Sequence, residues 1–306
     1  MTNIYFDQFL PDAERRGAIY GGDLFVYSAN KGALKLVEHA RDMIDAAFPN
    51  LDPEYAQFDM PVEEYAATLA KLKPAFIHHP TSKACIIEML EQLGCDPDKT
   101  HFDVPRMRTS TSDNYLTTGI AYVFHPHRDT WYSAPPCQIN WWLPIFPIQS
   151  DNGMSFHPHY FKNGVKNNSE VYDYYRWNQE SRASAASHVK SDTRVQPKPQ
   201  EQVELDPQIR IVAPPGAVTA FSAAQLHASV PNTSGRTRFS IDFRTVNVDD
   251  VASKRGAINV DSRCTGTALR DFLRMRDLAR VPDELASLYD EGASDGVKIY
   301  EPSTER

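Results

Sequence analysis

Three side chains offer the clearest chemistry in this sequence: His127 and Asp129, two residues apart, and His227, about a hundred residues later. On extended backbone, side chains at i and i+2 leave the same face. An imidazole and a carboxylate therefore project together and can bind one cation. A second imidazole, brought alongside by the fold, would complete two histidines and one carboxylate on one face of a metal. That set leaves the other coordination positions open and is typical of non-haem Fe(II) oxygenases. Arg238 follows His227 by eleven residues on a stretch of strand composition, placed to hold a carboxylate of a bound co-substrate.

Competitors lie close by. His125 is also two residues from His127, and His157 and His159 follow Asn152-Gly153. Pairing His125 with His127 supplies no carboxylate, so His127 with Asp129 is preferred, and His159 reads as structural. Arg236 and Arg244 share strand parity with Arg238 and are its rivals. Arg106 and Arg108 point to one face of an earlier strand, toward an anionic substrate group in one reading.

The elements that must position these residues fall into two textures. Residues 1–99 read as a mostly helical flank with one early strand, Ile19–Tyr27, interrupted by Gly21-Gly22. Leu36, Val37, Ala40, Ile44 and Ala47 recur at helical spacing, with Pro49 beyond them as a stop. A second helix is predicted from Pro61 to just before Pro74. A third is predicted with Thr81 or Ser82 as cap, Ile86, Met89, Leu90 and Leu93 as its stripe, and Gly94 at its end.

From Thr100 short strands alternate with Pro, Gly, Asn and Asp. The predicted strands cover 101–107, 119–124, 138–145, 154–160, 208–213, 217–221 and 236–246, which suggests an antiparallel sandwich or barrel. A polar, Tyr- and Arg-bearing insertion, 161–205, separates two of them and reads as a lid over the site, with a homodimer contact as the alternative. Residues 247–306 are expected to form C-terminal helices and a tail, including an amphipathic helix over 267–280 and a shorter one after Pro282. No linker or repeat divides the 306 residues, so one domain is expected.

Composition sets bounds on function. Hydrophobic residues make up 41% and charged residues 24%, ordinary for a soluble globular protein. With 32 basic and 40 acidic side chains the formal charge is −8, which argues against a nucleic-acid partner. Neither a long apolar run nor a secretory signal is visible, so no membrane partner and a cytoplasmic location are expected. Cys85, Cys95, Cys137 and Cys264 are scattered without metal-site or disulfide spacing.

Residues 119–246 resemble the core of the Fe(II)/2-oxoglutarate-dependent dioxygenases, and more narrowly the phytanoyl-CoA dioxygenase-like branch. The resemblance rests on five features in order: His127-Arg128-Asp129; the strand Gln138–Ile145 followed by Asn152-Gly153; Pro215-Gly216 followed by Phe221; His227-Ala228-Ser229 followed by Asn232; and Arg238 eleven residues after the distal histidine. It covers roughly the middle 40% of the chain, and the 161–205 insertion departs from it.

The resemblance implies a mainly β fold with flanking helices, built on a double-stranded β-helix, or jelly roll. It implies Fe(II) on His127, Asp129 and His227, with 2-oxoglutarate as co-substrate and O2 as oxidant. The far carboxylate of 2-oxoglutarate would meet Arg238, which the eleven-residue spacing favours over Arg236 and Arg244. Ser229 would add a hydroxyl contact, and Asn140 and Trp142 lie on a strand lining the co-substrate pocket. Tyr122, Phe124, Trp131 and Tyr132 would crowd the metal approach. The implied reaction couples decarboxylation of 2-oxoglutarate, to succinate and CO2, with hydroxylation of a small-molecule substrate. Desaturation, cyclisation or epimerisation on the same iron are the alternatives, as is a cupin-like binding protein without 2-oxoglutarate turnover; halogenation is disfavoured because Asp129 is present.

Overall fold

The computed structural model describes residues 2–116, 125–181 and 196–290. Its helical flank follows the apolar stripes. Helix α1 (Asp12–Tyr20) carries Asp12 and Glu14 in its first turn, where carboxylates favour the partial positive charge of the helix N-terminus. Helix α2 (Lys31–Ala47) is capped by Asn30, whose side chain accepts from the Ala33 N–H, and buries Leu36, Val37, Ala40 and Ile44. Helices α3 (Val62–His78) and α4 (Pro80–Gln92) complete the layer. Gly32 lets α2 approach α4 closely: a Cβ there would lie 2.3 Å from the backbone nitrogen of Met89.

Eleven strands are present among the described residues: β1 (Ile4–Phe6), β2 (Leu24–Tyr27), β3 (Thr100–Phe102), β4 (Arg106–Ser110), β5 (Ile139–Pro144), β6 (Met154–Phe156), β7 (Ile209–Arg210), β8 (Val218–Ser222), β9 (His227–Ser229), β10 (Arg238–Asn247) and β11 (Leu273–Arg274). The larger sheet runs β1-β2-β8-β5-β10-β3-β11, with β4 also paired to β10; the smaller runs β7-β6-β9. β10 organises the larger sheet. One edge pairs with β5, and the other pairs with β4 along 238–242 and with β3 along 245–247.

The period-2 rule sorts the side chains of these central strands. Ile139, Trp141 and Leu143 of β5 and Phe239, Ile241 and Phe243 of β10 enter the core shared with the helices. The opposite parity faces the smaller sheet. There Trp142, Phe221, Met154, Phe156 and Ile211 form a second apolar cluster, and Asn140, Arg238, Asp242 and Arg244 are among the polar residues of that face.

Several sequence-based expectations need correction. Ile19 and Tyr20 end α1, and Gly22, at φ +103°, turns the chain so that the strand is only Leu24–Tyr27. Helix α3 continues through Pro74 to His78. An interior proline costs about 3 kcal/mol. Burial of Leu69, Leu72 and Phe76 around it, at about 1.5–3 kcal/mol each, outweighs that cost. The cap of α4 is His79, which accepts from the Thr81 N–H, with Pro80 opening the helix. The 101–107 strand is two strands, and 154–160 and 208–213 are shorter than predicted. Strand 119–124 lies outside the described residues.

The predicted helix over 267–280 is absent. A 3-10 turn, Ala268–Asp271, leads into β11, which pairs with β3 through Leu273 and Phe102 and through Arg274 and His101. The chain then reverses, with Arg274 binding Asp277 and Leu278 in the left-handed region. The apolar spacing was real, but the edge of β3 offered backbone hydrogen bonds that a helix could not have satisfied. The short helix after Pro282 is present as Asp283–Ala286.

Candidate metal centre

The distant histidine is delivered by backbone. His127 N–H donates to His227 O and His227 N–H donates to His127 O, both at 3.0 Å, forming an isolated antiparallel bridge. Arg128 is still extended, but Asp129 begins a 3-10 turn, Asp129–Tyr132, so the two residues do not share a regular strand as expected. Their side chains converge nonetheless, because Arg128 between them is anchored elsewhere. Its guanidinium binds Asp261 and the carbonyls of Ala224, Tyr160 and Asn163.

One ligand atom from each of His127, Asp129 and His227 lies within 4.8 Å of the others. The Nε2 atoms of His127 and His227 stand 3.5 and 3.9 Å from Asp129 Oδ1. Each Nδ1 lies near a carbonyl two residues back, His125 O at 2.9 Å and Gln225 O at 3.0 Å. A carbonyl can only accept, so each Nδ1 carries the proton and each Nε2 presents its lone pair toward the carboxylate. This outer support is what a metal-binding imidazole requires, so the donor set fits a metal ion.

Electrostatics favour the same state. Burial, with His127 adding to it, pushes the His227 imidazole down to about 4. Burial and then His127 bring His125 to about 4 as well.

These shifts predict acid sensitivity of the metal-free protein. Below their ordinary value of 6.5, His125 and His227 take up protons in the unfolded chain while the folded imidazoles stay neutral down to about 4. The unfolded state then binds more protons, so stability is full above pH 6.5 and falls as pH drops toward 4. By pH 5.5 the loss should be about 1 kcal/mol per imidazole. Urea midpoints at pH 7 and 5.5 measure it, and His125→Gln should reduce the difference; an unchanged midpoint would contradict neutral imidazoles.

A cavity of about 660 Å³ opens on the centre, lined by His127, Asp129 and His227 and by Asn140, Trp142, Ser229 and Arg238. Arg238 is buried. Its Nη1 donates to Asn152 O and Gly153 O, both at 3.0 Å, and its guanidinium lies 5.8 Å from the Trp142 ring centre. The Asn-Gly turn thus anchors the arginine. Its Nε is buried without a hydrogen-bond partner, and among the described residues it makes no ion pair. Burial brings its pKa down to about 10, with Asp242 opposing the shift and Arg108 adding to it.

The rival arginines do other work. Arg236 packs over Tyr55 away from the cavity. Arg244 reaches Asp103 at 3.1 Å, Asp129 Oδ2 at 3.6 Å and Asp242 at 3.6 Å. Arg106 and Arg108 line the cavity and pair with Asp103 and Asp242. Sequence reasoning missed Gln138, whose Nε2 donates to Asn140 Oδ1 at 2.9 Å and to Asp129 Oδ2 at 3.3 Å. Only its parity with Asn140 on one strand face could have signalled it.

Of the remaining candidates, His125 Nε2 donates to Pro197 O, His157 binds Leu205 O, and His159 packs on Tyr160; none joins the metal set. Tyr132 stands against His127 at 5.6 Å and lines the cavity, whereas Trp131 is buried with Val165 and Leu226. Tyr122 and Phe124 lie outside the described residues. The insertion is stitched at its stem, where Gln200 N–H donates to Lys166 O and Asn168 N–H to Lys198 O. Its Tyr172, Tyr174 and Trp177 line the cavity, Tyr175 packs behind them, and Arg176 is exposed. Residues 182–195 of the insertion lie outside the described set.

No family model matches the sequence, and no curated protein matches it. Among solved structures, a non-haem monooxygenase, ThoJ in its apo form, is 11% identical with a TM-score of 0.38, covering 86% of each chain. The alpha-ketoglutarate-dependent epimerase SnoN from nogalamycin biosynthesis is 11% identical with a TM-score of 0.37, covering 78% of this chain and 84% of that one. The carbocyclase SnoK from the same biosynthesis is 11% identical at a TM-score of 0.35, over 57% and 62% of the two chains. No helix among the described residues is long and apolar enough to cross a membrane, and the four cysteines are free thiols.

Proposed function

We propose that this chain is a non-haem Fe(II) enzyme that uses 2-oxoglutarate as co-substrate and hydroxylates a small molecule. One observation carries the reading: a two-histidine, one-carboxylate set and a buried arginine that makes no ion pair among the described residues line the same cavity. His127, Asp129 and His227 would hold the iron and leave its other positions open. Arg238 would clamp the far carboxylate of 2-oxoglutarate. Iron with 2-oxoglutarate and O2 would supply oxidation of an unactivated C–H, yielding succinate and CO2.

The order of strand pairing supports a double-stranded β-helix. In chain order, β4, the His127 bridge, β5, β6, β7, β8, β9 and β10 pair first with last, second with seventh, third with sixth and fourth with fifth. Such nested pairing, divided between two sheets, is what a hairpin folded onto itself into a jelly roll would have. The motif order favours the phytanoyl-CoA dioxygenase-like branch. Nδ1 hydrogen bonds orient the imidazoles, and the Asn152-Gly153 carbonyls orient Arg238. The aromatic wall of Tyr132, Tyr172 and Trp177 would hold the substrate and exclude water, with the insertion acting as its lid.

Anaerobic titration tests this. Fe(II) and 2-oxoglutarate together should produce a weak visible charge-transfer band that neither gives alone, and 2-oxoglutarate should then yield succinate under O2. A chain that binds iron but gives no band with saturating 2-oxoglutarate is a metal-binding protein of another kind.

A further inference from the structure

The geometry points to Arg244 and Gln138 as positioning residues that hold Asp129 as a one-oxygen metal ligand, an inference that rests on the metal reading of the triad. Asp129 divides its oxygens between two tasks. Oδ1 faces both imidazole Nε2 atoms, while Oδ2 is held by Gln138 Nε2 at 3.3 Å and lies 3.6 Å from Arg244 Nε. These contacts favour Oδ1 as the single ligand oxygen and oppose the rotation that would bring both oxygens to one metal. A second ligand oxygen would take a coordination position that the co-substrate or oxidant needs.

The placement of Arg244 is otherwise hard to account for. A guanidinium beside a cation site opposes the cation, since like charges in a low-dielectric cavity repel strongly. Two further carboxylates offset it here. Asp103 accepts from Arg244 Nη1 at 3.1 Å and from its backbone N–H at 2.7 Å, and Asp242 lies 3.6 Å from Nη2. Arg106 also pairs with Asp103, and Arg108 with Asp242. Held by Asp103 and Asp242, Arg244 is fixed in direction beside Asp129. Gln138 acts without charge, its amide steadied by Asn140.

Charge and positioning make opposite predictions for metal affinity. Metal-free protein titrated with Co(II), followed by its visible d–d absorption, separates them. Arg244→Met and Gln138→Met should each weaken Co(II) binding about tenfold, the usual scale for outer-shell partners. Arg244→Lys should recover part of the loss. In an Asp129→Ala background neither methionine substitution should change the affinity. If removal of a nearby positive charge were all that mattered, Arg244→Met would tighten Co(II) binding and Gln138→Met would leave it unchanged; either result overturns the inference. An effect that persists without Asp129 overturns it too. Should Arg244→Met fail to fold, Gln138→Met alone decides. Asp129→Ala by itself should weaken Co(II) binding, and if it does not, the metal reading of the triad falls as well.

Discussion

Asp129→Ala is expected to abolish 2-oxoglutarate turnover while leaving the fold intact, and His127→Ala and His227→Ala are expected to do the same. Loss of an outer-shell partner typically costs about 10–100-fold in metal affinity or activity, so loss of a direct ligand should cost at least about a hundredfold. The fold should survive for reasons visible in the contacts. The His127–His227 bridge is made by backbone N–H and C=O groups, which alanine retains. Removing the Asp129 carboxylate leaves Gln138 its bond to Asn140 and leaves Arg244 its contacts with Asp103 and Asp242. Iron content after reconstitution, succinate release and the thermal midpoint of the metal-free protein check the three variants. Near-normal iron and turnover in any of them would move the metal elsewhere, with His125 and His159 the next residues to test.

Arg238→Ala should separate iron from co-substrate. The variant should keep its iron and bind 2-oxoglutarate more weakly by about 1.5–3 kcal/mol, the worth of a hydrogen bond to a charged group. That corresponds to roughly a ten- to hundredfold loss in affinity. Arg238→Lys should recover little, because an ammonium cannot reproduce the two-pronged fit to a carboxylate. Arg236→Ala should behave as wild type toward 2-oxoglutarate, since Arg236 packs on Tyr55. Anaerobic titration of each iron-loaded variant measures the affinity. If Arg244→Ala loses 2-oxoglutarate binding and Arg238→Ala does not, the assignment of the co-substrate clamp is wrong.

The residues of the centre were legible in the sequence because their chemistry is local or modular. A carboxylate two residues from an imidazole needs only extended backbone to share a face with it. An arginine at fixed distance past the second histidine needs only strand parity. The helix stripes of 36–47 and 86–93 were legible for the same reason, since a 3.6-residue period reports the buried face directly. The turn at Asp129 was not, since it sits among contacts with distant segments, Arg128 with Asp261 more than a hundred residues away among them. Nor was the fate of 267–280, where an unpaired edge of β3 overrode a helical spacing. Pro74 within α3 is a third case: a local rule gave way to the burial of Leu69, Leu72 and Phe76. Least legible of all was the engagement of Arg106, Arg108 and Arg244 by aspartates. Sequence presented them as cations, and only the register of β4 and β10 and the approach of Asp103 pair them with aspartates. A one-dimensional pattern reports which groups share a face, whereas charge pairing between distant segments exists only once the sheet has closed.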